Sequence, residues 1–314
     1  MDTSNTVVYH RADFDGHFSA AVCKKFMPEA TFIGWDFGDD LIEFPQGNVY
    51  LVDLPLDCFK SLPYDASKRL VWIDHHKTSI EKWDHQLGSP WRGYLIDGVA
   101  ACRLCWQWFM NDYQLHGLGW TLPKKEDFQY HRVEEPLALR LAGEYDVWDH
   151  RDERALPFQY GLTAGAYRFD FGLISMLDTP KDLGFDGKWV FPGDAEVKYV
   201  VESGRGAMQW QKQFAKEACT ERSYVREWEG LTVCILASSH ARSSSWFPKE
   251  AIPPTCDALM CWRYDGRSVK FSLYHAPGHE DKDLSIIAKK YGGGGHAGAC
   301  GFELPLAQAL EIIR

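Results

Sequence analysis

Short apolar runs alternate with helix-like stretches through the first half of this chain. Four runs of mostly β-branched or apolar residues are found there: Val7–Tyr9, Ala30–Ile33, Val49–Val52 and Leu70–Ile73. Helix-like stretches such as Phe18–Phe26 lie between some of these runs. This alternation predicts an α/β fold in which helices cover both faces of a parallel sheet.

Acidic and histidine residues follow three of these predicted strands. They are His10, Asp13 and Asp15 after the first strand, Asp53 after the third, and Asp74, His75 and His76 after the fourth. Because open α/β sheets bind ligands at the carboxyl edge, where parallel strands end together, we expect these side chains to converge. Asp146 follows the helix-like stretch Glu134–Leu141 and would return to the same edge. Each residue alone could be a turn residue, a helix N-cap or a core group, but these explanations do not account for the joint placement.

Several carboxylates packed at one edge cannot all stay ionised without cations, so the sequence predicts bound divalent metals. A pair of ions about 3.5–4 Å apart needs one bridging ligand. Asp53 stands alone after its strand and is the best candidate for the bridge. The other candidate ligands form two sets, which are His10 and Asp13 on one ion and Asp15, His75 and Asp146 on the other. Mixed imidazole and carboxylate ligands favour manganese.

His76 is left without a metal in this arrangement. A histidine beside such ions can contact a substrate phosphate or protonate the leaving oxygen. Asp74 is a candidate to orient a neighbouring ligand, because metal-bound histidines commonly need such a partner. These residues together predict a two-metal enzyme that hydrolyses phosphoester bonds, with His76 and Asp74 acting beside the metals.

The pattern changes after a polar, partly amphipathic helical stretch at residues 193–227. The predicted elements beyond it are a strand over Leu231–Ala237, a hairpin of Cys256–Tyr264 and Ser268–His275 around Asp265 and Gly266, and a helix over Asp283–Tyr291. They indicate a smaller α/β domain with a mixed sheet. The predicted divisions are a metal-binding catalytic domain at residues 1–192, a linker helix at 193–227 and a substrate-binding domain at 228–314.

A glycine-rich segment, Gly292–Gly298, follows the last predicted helix. Bare backbone N–H groups beside an imidazole make a cradle for an anion. The candidate contacts to a phosphate or nucleotide are Gly293, Gly294, Gly295 and His296. Four glycines in a row can also be a flexible turn, but the predicted metal site favours phosphate binding. Arg242 is a further candidate contact, with an ordinary surface loop as the alternative.

The composition narrows the classes of partner. The formal net charge of -10 disfavours binding of long nucleic acid, because proteins of that class usually carry a basic excess. The chain has no apolar stretch of roughly eighteen residues that could span a bilayer and no signal-peptide core, so we expect no membrane partner. Nine cysteines among apolar neighbours fit reduced core thiols. We expect a soluble cytoplasmic protein, and a homodimer is compatible with the sequence.

These motifs together resemble the DHH phosphoesterase superfamily, in the branch with the DHH-associated C-terminal domain. The matching segments are His10-Arg-Ala-Asp13-Phe-Asp15-Gly16, Val52-Asp53, Asp74-His75-His76, Gly143-Glu-Tyr-Asp146 and Gly293-Gly-Gly-His296. They extend over nearly the whole chain. The resemblance implies an N-terminal parallel-sheet DHH domain, a smaller mixed-sheet C-terminal domain and an active site in the cleft between them.

The resemblance also implies residue roles and substrates. The metal ligands that it implies are His10, Asp13, Asp15, Asp53, His75 and Asp146, with His76 near the scissile phosphate. Members of the superfamily include nanoRNases, phosphodiesterases of cyclic or linear dinucleotides, RecJ-type exonucleases and, with a different C-terminal domain, family II pyrophosphatases.

We therefore predict a manganese-dependent phosphodiesterase that hydrolyses short oligonucleotides or dinucleotides to mononucleotides. The alternatives are a hydrolase of cyclic dinucleotides or of another small phosphoester and, outside the enzymes, a nucleotide-binding sensor. The complete ligand set together with His76 argues against a sensor. The glycine-rich segment suggests a partner the size of a nucleotide, which disfavours a pyrophosphatase.

Some features depart from the family pattern. Family members often carry an arginine where this chain has Ser272–His275. Arg263 or Arg242 is the candidate replacement, and the alternative is that the 3′-side nucleotide is held differently. Residues 84–98 and 111–133 are predicted as loops, and the loops rich in Trp and charge between residues 80 and 133 have no counterpart in the family pattern. One or two of the tryptophans are candidates to stack a base, namely Trp35, Trp91, Trp148 and Trp246.

Overall fold

A computed structural model of the chain divides into two compact units, Met1–Ala207 and Met208–Arg314. It describes residues 4–87, 92–114, 122–149, 151–165, 171–177, 182–183, 189–190, 193–238, 247 and 251–314. The division between the units falls inside one long helix, Asp194–Glu221.

The N-terminal unit is built on a parallel sheet, as the sequence predicts. Five strands form it within the described residues, namely β1 (Asn5–His10), β2 (Thr31–Trp35), β3 (Asn48–Val52), β4 (Leu70–Asp74) and β5 (Arg92–Leu95). Their order across the sheet is β2-β1-β3-β4-β5, and every pairing is parallel. All five strands therefore end at one carboxyl edge.

Alternate residues of these strands enter different apolar clusters. Val7 and Ile73 belong to one cluster, whereas Val8 and Trp72 belong to another. Successive side chains of a strand point to opposite faces, so each face of the sheet has its own core. Burial on both faces explains why these strands are continuous apolar runs in the sequence.

Helices make up most of the other described residues of this unit, and the last of them continues into the C-terminal unit. Those described are α1 (Phe14–Phe26), α2 (Ala66–Arg69), α3 (Lys77–Leu87), α4 (Ala101–Gln114), α5 (Lys125–Gln129), α6 (Leu137–Asp146), α7 (Ala155–Ala164), α8 (Phe171–Ser175) and α9 (Asp194–Glu221). A 3-10 turn covers Leu56–Cys58, and the two-residue strands β6 (Asp182–Leu183) and β7 (Trp189–Val190) pair with each other. Among the described residues, no helix combines the length and the apolar character that crossing a membrane requires.

The C-terminal unit contains a separate mixed sheet. Its strands within the described residues are β8 (Ser223–Trp228), β9 (Leu231–Ala237), β10 (Ala258–Tyr264), β11 (Ser268–His275), β12 (Gly294–His296) and β13 (Ala299–Pro305). Their order is β12-β13-β11-β10-β9-β8, with β9 and β10 parallel and the other neighbours antiparallel. The helices α10 (Ser285–Lys290) and α11 (Leu306–Ile313) complete the described part.

The structure differs from the sequence-based predictions in several segments. The strand β5 lies inside a predicted loop, because its four residues are too few to show a periodic pattern. The short helix α5 lies inside the second predicted loop. The linker helix was predicted to reach residue 227, but α9 ends at Glu221 and β8 begins at Ser223.

Candidate metal centre

Asp53 lies at the centre of the carboxyl edge, directly after β3. Its backbone N–H donates to the carbonyl of Ile73 in β4 at 3.0 Å, and its φ is +58°. The residue is 1% exposed, and neither carboxylate oxygen makes a hydrogen bond within the described residues. A buried carboxylate without donors is unfavourable unless a cation or another polar group faces it.

Two neighbouring residues form the first donor group with Asp53. Nδ1 of His10, at the end of β1, lies 2.8 Å from Oδ2 of Asp13 and 3.5 Å from Oδ2 of Asp53. Asp13 is the N-cap of α1, and its Oδ1 accepts the N–H of Gly16 at 2.9 Å. Helix capping therefore uses one oxygen of Asp13 and leaves the other facing His10.

The second donor group consists of Asp15, His75 and Asp146. Nε2 of His75 lies 3.4 Å from Oδ2 of Asp15 and 3.3 Å from Oδ2 of Asp146. Both oxygens of Asp15 accept backbone N–H groups at the start of α4, from Ala101 and Cys102, each at 2.8 Å. These bonds fix the Asp15 carboxylate, because a helix N-terminus favours negative charge.

The spacing within these groups fits a divalent ion. The candidate ligand atoms of each group lie within 4.8 Å of one another. Two donors about 2.1 Å from an ion lie roughly 3.0 Å apart at an octahedral angle and roughly 3.4 Å apart at a tetrahedral one. Oδ2 of Asp53 faces His10, and Oδ1 of Asp53 lies 3.4 Å from Nε2 of His75. Asp53 is therefore placed between the two donor groups, as a bridging ligand would be.

The electrostatics of the centre favour a cation. Burial, with the charges of Asp15 and Asp13, raises the pKa of Asp53 well above its usual value. Burial, with the charges of Asp15 and Asp53, does the same to the pKa of Asp146. Burial lowers the pKa of His10, but contacts with Asp13 and Asp53 outweigh this and raise it to about 11. Protons are thus held on groups that must lose them to bind a metal, and a metal would replace them.

His76 forms a third possible donor group with Asp53 and His75, but its nearest partner is Asp74. Its Nδ1 lies 2.7 Å from Oδ1 of Asp74, whereas the distance to Oδ1 of Asp53 is 3.9 Å. The same oxygen of Asp74 accepts the backbone N–H groups of His75 and His76. Burial lowers the pKa of His76, but the contact with Asp74 outweighs it, so the pKa is raised. Asp74 therefore orients the ring of His76 and favours its protonated form.

Asp36 belongs to this centre and is absent from the sequence-based predictions. Its Oδ1 lies 3.3 Å from Nε2 of His10, on the side of the ring opposite Asp13. A carboxylate on the second nitrogen commonly fixes the orientation of a metal-bound histidine. The residue follows β2 just as Asp53 follows β3, so the same reasoning would have found it with the correct end of β2.

The glycine-rich segment is more structured than a bare loop. The N–H groups of Gly292 and Gly293 donate to Lys289 and Ala288 and close the end of α10. Gly294–His296 is the edge strand β12, paired with β13. The first two glycine amides are thus used within the fold, and His296 is exposed beyond them.

Arg263 and Arg242 are the predicted replacements for the arginine of the family pattern. Arg263 pairs with Lys270, which pairs with Glu303. His296 pairs with Ala299, four residues before Glu303, so Arg263 lies roughly 13 Å further along the strands at ~3.3 Å per residue. Arg263 therefore does not lie in the same row of the sheet as His296, and its role as the replacement stays a prediction. Arg242 lies outside the described residues.

The tryptophans that are candidates for base stacking differ in their exposure to solvent. Trp35 is 6% exposed and belongs to the core, which argues against stacking by this residue. Trp148 is 60% exposed and lies two residues beyond Asp146. Trp91 and Trp246 lie outside the described residues. The cysteines are free and buried, as expected for core thiols.

Comparisons with known proteins find similarity in structure but not in sequence. No family model matches the chain, and no curated protein sequence does. The solved DHH domain of a member of a ribosomal protein family matches 99% of this chain and 85% of its own, with a TM-score of 0.50 and 13% identity. The pGpG-specific phosphodiesterase PggH of Vibrio cholerae matches 99% of this chain and 96% of its own, with a TM-score of 0.45 and 14% identity.

RecJ of Thermus thermophilus in complex with Mg2+ matches 98% of this chain but 48% of its own length, with a TM-score of 0.49 and 13% identity. The likeness to the DHH domain extends over both units. The chain therefore has the two-domain α/β fold of DHH-domain proteins, as its motifs predict.

Proposed function

We propose that this chain is a phosphodiesterase that uses two divalent metal ions, most favourably Mn2+, to hydrolyse short oligonucleotides or dinucleotides to mononucleotides. The placement of Asp53 carries the proposal, because each of its buried oxygens faces a different donor group. His10 and Asp13 would hold one ion, and Asp15, His75 and Asp146 the other, with Asp53 shared. Ions bound there would stabilise phosphoryl charge and supply an activated water.

His76 has the properties of a general acid in this reaction. The bond from phosphorus to the attacking water oxygen forms while the bond to the leaving nucleoside oxygen breaks. His76, protonated through its contact with Asp74, would give its proton to that leaving oxygen. Asp74 is completely buried and holds the ring through Nδ1, so Nε2 is the nitrogen that transfers the proton.

The substrate class is argued from charge and from the C-terminal unit. A net charge of -10 does not favour long polyanions, whereas a metal pair neutralises the few phosphates of a short one. We assign residues 228–314 to substrate binding, with Gly293–His296 contacting a terminal phosphate or nucleotide. His296 is the side chain of this segment that offers a donor, because the other residues are glycines.

The decisive test is hydrolysis of a defined ladder of substrates. Purified protein is incubated with labelled RNAs and DNAs of two to about twenty nucleotides and with cyclic dinucleotides, with Mn2+, with Mg2+ or with chelator. We expect metal-dependent release of mononucleotides, fastest from the shortest linear substrates. Preferential opening of cyclic dinucleotides would favour the alternative hydrolase, and binding without turnover under any metal would favour the sensor.

A matched pair of variants ties the activity to the site. Asp53→Asn should abolish hydrolysis, because losing the shared ligand disturbs both ions. Asp57→Asn is the control, since Asp57 lies on the same segment but is half-exposed and contacts Lys82. Near-normal hydrolysis by Asp53→Asn would contradict the assignment of the site.

A further inference from the structure

An exposed aromatic ring lies beside the first donor group. Phe37 follows β2 and is 61% exposed. Its ring centroid is 5.7 Å from that of His10, with the planes at 78°, and 5.4 Å from that of Trp35, with the planes at 66°. Neither contact is a parallel stack, and most of the ring is open to solvent.

The turn that carries this ring is firmly held. The N–H of Asp36 donates to Oδ2 of Asp39 at 2.9 Å, and the N–H of Asp39 donates to the carbonyl of Asp36 at 3.0 Å. Arg11 donates to both oxygens of the Asp39 carboxylate. Nε1–H of the buried Trp35 donates to the carbonyl of Asp40 at 3.1 Å. These bonds hold the backbone of the turn that carries Phe37 in a defined position.

The same turn couples the ring to the metal centre. Oδ1 of Asp36 accepts the N–H of Phe37 at 2.7 Å and lies 3.3 Å from Nε2 of His10. The position of the Phe37 backbone is therefore fixed relative to a proposed metal ligand. A single exposed aromatic on a loop needs no explanation, but one held this close to the proposed metal centre is placed for recognition.

We propose that Phe37 is a specificity-determining residue that stacks the nucleobase of the nucleotide whose phosphate lies at the first donor group. The inference rests on the proposed phosphodiesterase function and extends it to the base. Base, sugar and phosphate are consecutive groups of one nucleotide, so a ring beside the phosphate site can reach the base. Every nucleobase has an aromatic face, so Phe37 would favour nucleotides over other phosphoesters without selecting a sequence.

Kinetics with paired substrates test this role. A dinucleotide and its counterpart lacking the relevant base are hydrolysed by wild type and by Phe37→Ala, with bound metal measured in both proteins. We expect kcat/KM for the dinucleotide to fall roughly 5- to 150-fold, the usual range for a lost base stack, and kcat/KM for the abasic substrate to stay unchanged. Phe37→Tyr should retain activity on both. Equal losses on the two substrates, or no loss on either, would overturn the proposal.

A matched control and a binding readout complete the test. Tyr64→Ala removes a fully exposed aromatic that precedes α2 and β4, at the opposite edge of the sheet, and should change nothing. Binding of 2-aminopurine nucleoside 5′-monophosphate with Mn2+ is followed by fluorescence, which stacking quenches. Quenching that is seen with wild type and lost in Phe37→Ala supports stacking, even if no substrate is hydrolysed. Absence of hydrolysis would then refute the proposed enzymatic function but not the stacking. Equal quenching in both proteins, or none in either, refutes stacking.

Discussion

Binding of Mn2+ should raise the thermal midpoint of the N-terminal unit by an amount that Asp53 controls. An ion present at about 100 times its dissociation constant stabilises a folded protein by ~2.7 kcal/mol, so two ions contribute ~5.4 kcal/mol. One kcal/mol shifts the midpoint of a domain of about 150–250 residues by roughly 2–4 °C. The unit Met1–Ala207 falls in this range. We expect a rise of roughly 10–20 °C, measured by scanning calorimetry with and without metal.

Variants divide this shift between the two donor groups. Asp53 faces both groups, so Asp53→Asn should remove most of the shift. Asp13 belongs to the first group alone, so Asp13→Asn should leave about half of it. Asp57→Asn should keep the whole shift. A full metal-dependent shift in Asp53→Asn, with unchanged bound metal, would refute the shared-ligand assignment, and equal losses in the Asp13 and Asp53 variants would indicate a single ion.

The same shift should grow with pH. The folded pKa values of Asp53 and Asp146 are raised, so the metal-free protein loses stability as pH rises above 3.8 through the folded values. The stabilisation from protonated His10 is present below pH 6.5 and is lost as pH rises towards about 11. Metal binding becomes tighter over the same range because its ligands deprotonate. A shift at about pH 8 no larger than that at about pH 6 would contradict this linkage.

Three further outcomes are expected. His76→Ala should retain both metals and slow turnover roughly 10²–10⁴-fold, and loss of metal instead would make His76 a ligand. His296→Ala should lower kcat/KM for a dinucleotide roughly ten- to a hundredfold while sparing bis(p-nitrophenyl) phosphate, whereas equal losses would place His296 outside substrate binding. Gly293→Ala should destabilise the C-terminal unit by about 1–3 kcal/mol in urea unfolding, because its Cβ would lie 2.0 Å from the carbonyl oxygen of Gly301. Gly294→Ala, whose Cβ meets nothing within 4 Å, is the matched control and should unfold like wild type.

The parallel sheet of the N-terminal unit could be predicted because burial on both faces leaves a clear apolar signal. The predicted run Val49–Val52 lies within β3, and Leu70–Ile73 lies within β4. The common carboxyl edge follows from parallel pairing alone, so the convergence of acidic residues there is confirmed. Their roles as metal ligands stay a prediction, since convergence shows where donor atoms lie but not what they bind.

The end of β2 shows why part of the site was missed. The sequence-based strand Ala30–Ile33 stopped before Gly34, a residue that weakens a strand pattern. In the structure β2 continues to Trp35, which places Asp36 and Phe37 directly after it. A two-residue error in one strand thus removed a partner of His10 from the predicted site. The tertiary contacts that create this turn connect residues distant in sequence, such as Arg11 and Asp39, which no local pattern shows.

Asp53 combines two features that are each unfavourable for folding. Its left-handed backbone costs about 1–3 kcal/mol for a residue other than glycine, although aspartate tolerates it better than most. A buried polar group without a hydrogen bond costs about 1–3 kcal/mol more. Glycine would relieve both costs but would leave the two donor groups without a shared oxygen ligand. The backbone hydrogen bond to Ile73 holds Asp53 in this conformation. The carboxylate between His10 and His75 is thus kept at a cost in stability.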